Sequence, residues 1–171
     1  VKDAVLQALH DAIEMEKGIG KAYIQAAESA VDARAKRLYR LLAEEEGTHL
    51  RYLLREKKQW EAGQRLTGET LPAPVAAADK RAETLAEVRH ELHADQVAQE
   101  REALQRALQA EQRIFAFYQE RAQQFTGEVK AMFAQFLEIE QGHVALVSAE
   151  LSALDGDGFW FEQREFDVEQ G

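Results

Sequence analysis

The sequence predicts an all-α fold: a four-helix bundle built from two duplicated helical hairpins, with a long connection between the second and third helices and an extended aromatic C-terminal tail. Three observations predict it. Apolar residues recur at helical spacing over almost the whole chain. Ten Gly and two Pro supply too few turns for a β-rich fold. Polar residues also return on the apolar stripes at a nearly constant interval, as an internal duplication would produce. Glu16 and Tyr23 recur as Glu111 and Tyr118, an offset of 95, and Glu46 and His49 recur as Glu140 and His143, an offset of 94. With 171 residues the chain is expected to form one domain over 1–171.

The first helix is expected from about Asp3, a fair N-cap, to about Ala30, with the stripe Val5, Leu9, Ala12, Glu16, Ile19, Tyr23, Ala26 or Ala27, and Ala30. The second starts near Asp32 and runs to about Ala62, closed by Gly63, with the stripe Leu38, Leu42, Glu46, His49 and Leu53. These two form the hairpin 3–62. Gly63, Gly68, Pro72 and Pro74 make 63–78 a linker, followed by a weak short helix at about 79–92, so that linker and short helix fill 63–94. The third helix spans about 95–125 with the stripe Leu104, Leu108, Glu111, Phe115, Tyr118 and Ala122. Thr126-Gly127 turns the chain into the fourth helix, about 128–154, with the stripe Val129, Phe133, Phe136, Glu140, His143, Val147 and Leu151. The second hairpin is thus 95–154. Asp155-Gly156-Asp157-Gly158 is expected to stop it, leaving a tail over 155–171 that carries Phe159, Trp160, Phe161 and Phe166. Aromatics are scarce in disordered segments, so the tail is expected to pack on the bundle or on a partner subunit.

Composition narrows the function. A formal charge of −10 disfavours nucleic acid and repels anionic membrane surfaces. The absence of Cys excludes disulfides, Cys-ligated zinc, iron–sulfur clusters and thiol nucleophiles. The longest apolar run, Leu71 to Ala78, is far short of a membrane span and contains both prolines. The opening Val1-Lys2-Asp3 does not read as a signal peptide, and a cytoplasmic protein is expected.

The chemistry lies in the polar residues on the stripes. A hairpin turning near Val31 places Glu16 and Glu46 at one level, each roughly 22 Å from the turn at 1.5 Å per residue. A turn near Thr126 does the same for Glu111 and Glu140. His49 and His143, three residues on, share a face with Glu46 and Glu140. Stacking the hairpins gathers four Glu and two His at one depth. Four ionised carboxylates buried together would unfold an ordinary domain unless cations resolve them. Two divalent metals balance four carboxylates. A Glu from each of two helices plus Glu-x-x-His from each of the other two is the known pattern of di-iron carboxylate bundles. The expected ligands are Glu16, Glu46, His49, Glu111, Glu140 and His143, holding two iron ions with manganese or zinc as substitutes. Glu14, Glu44, Glu45 and Glu138 lack the repeat match or the offset to a His and are expected to be solvated. Tyr23 and Tyr118 either pack in the core or steady the Glu two turns away. His10 is expected at the surface, and His90, Glu91 and His93 on a polar helix face.

At Glu16…Tyr23, Glu46-Gly47-Thr48-His49, Glu111…Tyr118 and Glu140-Gln141-Gly142-His143 the sequence resembles the rubrerythrin-like branch of the ferritin-like superfamily. The resemblance covers roughly 3–62 and 95–154. It implies a ferritin-like bundle with a di-iron centre that reacts with dioxygen or hydrogen peroxide. Glu46 and Glu140 would bridge the metals and serve as the catalytic carboxylates, Glu16 and Glu111 would be terminal ligands, and each His would cap one metal. It also implies a homodimer, to which the tail or 63–94 contributes, and an external electron donor if the activity is a peroxidase. Rubrerythrins carry a Cys-ligated iron centre and a further Glu three residues after the first ligand of the third helix. This chain has no Cys and has Ile114 at that place, which shifts weight toward ferroxidase chemistry. A redox enzyme and a non-catalytic iron-binding or storage module of a larger assembly need the same ligands. A metal-free structural bundle would leave the buried carboxylates unexplained.

Overall fold

The short turns dictate the architecture. The computed structural model describes residues 2–71 and 93–168, with side chains described as far as Asp155. Helix α1 spans Lys2–Ser29, α2 Ala33–Glu61, α3 Ala94–Gln124 and α4 Gly127–Val168. No strand occurs among the described residues. Only a few residues separate α1 from α2 and α3 from α4, so each pair can only fold back on itself, and the result is a four-helix bundle of two antiparallel hairpins.

Local chemistry sets each boundary. Asp32 is extended and its carboxylate accepts the Ala35 N–H at 2.9 Å, supplying one of the donors that the first turn of α2 leaves unpaired. At the other end of α2, Gly63 takes φ +74°, a conformation costly for any residue with a β-carbon. There the Gly63 N–H donates to Trp60 O and the Gln64 N–H to Gln59 O, both at 3.0 Å, closing the last turn. The Gln96 side chain accepts the His93 N–H at 2.9 Å and fixes the start of α3.

Beyond Gly63 the chain stays close to the bundle. Leu66 and Leu71 are buried, and Glu56, fully buried on α2, accepts both the N–H of Thr67 at 2.8 Å and its hydroxyl at 2.5 Å. The expected short helix at 79–92 lies outside the described residues, as does the remainder of the linker.

The two hairpins meet with α1 and α3 antiparallel. Glu100, near the start of α3, accepts the N–H groups of Val31 and Asp32 at 2.8 and 3.2 Å, while Tyr118, near its far end, meets Glu16. The buried stripes are Val5, Leu9, Ala12, Ile19, Tyr23 and Ala27 on α1, and Leu38, Leu42 and Leu53 on α2. On α4 they are Val129, Phe133, Phe136 and Val147. On α3 the expected stripe needs a correction. Ile114 is buried, whereas Phe115 and Leu108 are only half-buried: positions 114 and 115 flank the line through Glu111 and Tyr118 at equal angles, and the buried face extends to the side of 114.

The expected stop at Asp155–Gly158 is also overturned. Helix α4 continues to Val168 and is 42 residues long. A helical Gly costs only about 1 kcal/mol relative to Ala, neither Gly nor Asp blocks the backbone as Pro does, and an established helix needs only propagation. Arg101 of α3 also holds Asp155 at 2.6 Å, where the stop was expected. The backbone of the expected tail is therefore helical to Val168, while the side chains of its aromatics lie outside the described residues. No helix among the described residues is long and apolar enough to cross a membrane.

Candidate metal centre

All four helices send carboxylates to one level of the core. Glu16, Glu46, His49, Glu111, Glu140 and His143 are each no more than 4% exposed. They form two overlapping groups whose ligand atoms lie within 4.8 Å of one another: Glu16, Glu46, His49 and Glu140, and Glu46, Glu111, Glu140 and His143. Glu46 and Glu140 belong to both. The structure thus brings together all six residues expected from the sequence. Gly20 makes room for this, since a β-carbon there would stand 3.3 Å from the Glu46 Cβ.

Both imidazoles turn Nδ1 toward the carboxylates. His49 Nδ1 stands 3.1 Å from Glu46 Oε2, 3.4 Å from Glu16 Oε2 and 3.8 Å from Glu140 Oε1. His143 Nδ1 stands 3.0 Å from Glu46 Oε1, 3.2 Å from Glu140 Oε2 and 3.7 Å from Glu111 Oε2. Despite this proximity, His143 Nδ1 has no hydrogen bond of acceptable angle. The same is true of one oxygen each of Glu16, Glu46 and Glu111 and of both oxygens of Glu140. A buried polar atom left unpaired costs about 1–3 kcal/mol, so this inward-facing set of acceptors is expensive by itself. Oxygens with one nitrogen at each end suit hard or borderline cations, and the buried groups could hold metal ions.

The tyrosines steady carboxylates, but those of the opposite hairpin. Tyr23 of α1 donates to Glu111 of α3, and Tyr118 of α3 donates to Glu16 of α1. Of the two readings of these tyrosines the contacts fit the steadying one, with the partner on the facing helix and not two turns away on the same helix. A tyrosine hydroxyl lies several ångströms off its helix axis and reaches a facing helix more readily than its own.

Charge is strongly redistributed. Burial, then the charge of Glu46, pushes Glu16 well above the usual carboxyl range. Burial and Glu46 likewise raise Glu140 to about 8. In Glu46 burial is outweighed by close polar contacts with Glu16, His143 and His49, which hold its carboxyl far below the usual range. Burial disfavours charge on His49, yet its contacts with Glu16 and Glu46 prevail and raise it to about 10. His143 is raised for the same reason, chiefly by Glu140. Burial pushes the Tyr23 and Tyr118 hydroxyls up, so both remain protonated donors.

Of the four carboxylates expected to be solvated, Glu14, Glu44 and Glu138 are exposed. Glu45 is not. Its side chain is 18% exposed and its Oε2 lies 2.9 Å from His143 Nε2, on the side of the ring away from the cluster. Its position beside Glu46 was visible in the sequence, but its reach across to α4 depends on how the hairpins dock. Sequence reasoning also missed the buried Glu56, Glu100 and Glu150, which tie backbone and helices together; Glu150 holds Arg34 at 2.8 Å. His10 and His93 are exposed, whereas His90 and Glu91 lie outside the described residues. No family model, curated protein or solved structure matches the chain.

Proposed function

We propose that this chain is a di-iron carboxylate oxidoreductase that reacts Fe(II) with dioxygen or hydrogen peroxide. One observation carries the reading: two buried ligand groups, each of three carboxylates and one imidazole, overlap through Glu46 and Glu140. Four carboxylates balance two divalent cations, and two shared carboxylates suit two ions side by side. The resemblance of the paired motifs to rubrerythrin-like proteins supports the same reading, with Glu16 and Glu111 as terminal ligands and His49 and His143 as caps. Two Fe(II) give up two electrons, which with two protons convert dioxygen to hydrogen peroxide, or hydrogen peroxide to two molecules of water. As a peroxidase the protein would draw those electrons from a separate donor.

The surrounding residues fit such chemistry. Tyr23 and Tyr118 orient the terminal carboxylates while leaving the shared ones free to change binding mode. Phe136 packs against His49 and Tyr118 at 5.4 and 4.8 Å between ring centroids and keeps water from that side of the cluster. The test is anaerobic Fe(II) loading followed by rapid mixing with dioxygen or with hydrogen peroxide. Two irons per chain and oxidation by one of the two within the mixing experiment are expected, and the faster oxidant assigns the chemistry. Stray iron binding, or bound iron inert to both, refutes the proposal.

A further inference from the structure

The two halves of the centre differ in what lies behind their imidazoles. Glu45 precedes the shared Glu46, and its carboxylate meets the outer nitrogen of His143 at 2.9 Å. The corresponding residue of the second hairpin, one before Glu140, is Ile139, 2% exposed and without a polar atom. His49 has its one hydrogen bond at Nδ1 and none at Nε2 among the described residues, and its ring meets that of Phe136 at an interplanar angle of 80°. In their placement the imidazoles correspond: each directs Nδ1 inward, and each faces the two shared carboxylates and one terminal one.

We infer that Glu45 makes the two metal positions unequal, so that the one formed by Glu46, Glu111, Glu140 and His143 fills first and holds its ion more tightly. A carboxylate on the far nitrogen of a ligating imidazole fixes the ring's orientation, keeps the proton on that nitrogen and makes the inner one a better donor. It would also bring a carboxylate closer to the position capped by His143 than to the other. Loss of such a partner commonly lowers metal affinity by about 10–100-fold. The position capped by His49, whose Nε2 has no hydrogen bond among the described residues, lacks this support. This inference rests on the metal-site reading proposed above.

Calorimetric and optical titration of the metal-free full chain with Co(II) tests it. The wild-type protein is expected to bind in two steps. Glu45→Gln lowers the first affinity by about 10–100-fold and leaves the second within about threefold, whereas exposed Glu44→Gln changes neither. His143→Ala removes the tight step and His49→Ala the weak one, which tests the assignment without touching Glu45. If Glu45→Gln shifts both steps alike or neither, or if His49→Ala removes the tight step, the inference is overturned while the two-metal reading stands. If the wild-type chain binds no Co(II) or iron, both fail.

Discussion

Removing metal and raising pH together should destabilise this protein in a defined window. In the metal-free fold Glu140 is raised from 4.5 to about 8 and His49 from 6.5 to about 10. A group whose folded pKa exceeds its unfolded one binds its proton more tightly when folded. Its stabilising contribution is complete below the unfolded pKa and disappears as pH rises through the folded pKa. The windows are therefore 4.5–8 for Glu140 and 6.5–10 for His49, and they overlap from 6.5 to 8. There the folded state holds nearly two more protons than the unfolded chain at these sites alone, and stability falls by roughly 2–3 kcal/mol per pH unit. Glu16 and His143 are raised as well and act in the same direction. Glu46, which is lowered, loses its contribution only as pH falls below 4.5 and does not oppose the trend. For a domain of this size the slope corresponds to a melting temperature falling by about 5–11 °C per pH unit. Circular-dichroism melts of chelator-treated protein from pH 6 to 8.5 measure it. On the proposed reading metal takes the place of the protons, so the reconstituted protein should show a flat or rising profile over the same range. Glu140→Gln, which cannot titrate, should make the slope shallower by about one proton's worth. A metal-free melting temperature that is constant or rises between pH 6.5 and 8 refutes the reasoning.

Other expectations follow from single contacts. Tyr118→Phe deprives Glu16 of its donor and Tyr23→Phe does the same to Glu111. Each should weaken one of the two binding steps by about tenfold in a metal titration while leaving the other within about threefold. Glu46→Ala, which removes a carboxylate from both groups, should abolish binding of the pair, as metal analysis after iron reconstitution would show, whereas exposed Glu14→Ala should not. Glu100→Ala leaves the Val31 and Asp32 N–H groups without their acceptor and should cost about 1–3 kcal/mol in urea denaturation with metal binding retained. The proposed homodimer is tested by light scattering on the whole chain and on a chain ending at Leu154. A monomer in both refutes it, and a dimer unaffected by the deletion removes the last helical turns from the contact.

Much of this was legible in the sequence because periodicity and repeat converge on the same residues. Glu16, Glu46, His49, Glu111, Glu140 and His143 stand out because a charge on an apolar stripe contradicts its neighbours, and short turns set their common depth. What spacing could not supply was contact between hairpins. The partners of Tyr23, Tyr118 and Glu45 lie 88 to 102 residues away, and no local rule specifies which facing residue a side chain reaches. The extension of α4 was missed for a different reason. Asp-Gly-Asp-Gly reads as a stop when propensity is taken alone, but its penalty is small beside the cooperativity of a helix already formed.

The crossed tyrosines bear on the order in which the molecule assembles. Each hairpin closes through a turn of a few residues and can form early, driven by contacts near in sequence. Neither can finish its own half of the cluster, because the hydroxyl that seats each terminal carboxylate arrives on the other hairpin. Docking is therefore the event that creates the ligand set, and an undocked hairpin offers a metal only a loose and incomplete grip. Metal uptake would then report that the two halves have met correctly. A kinetic experiment on refolding should find helix formation well ahead of metal capture, with capture keeping pace with burial of the tyrosines.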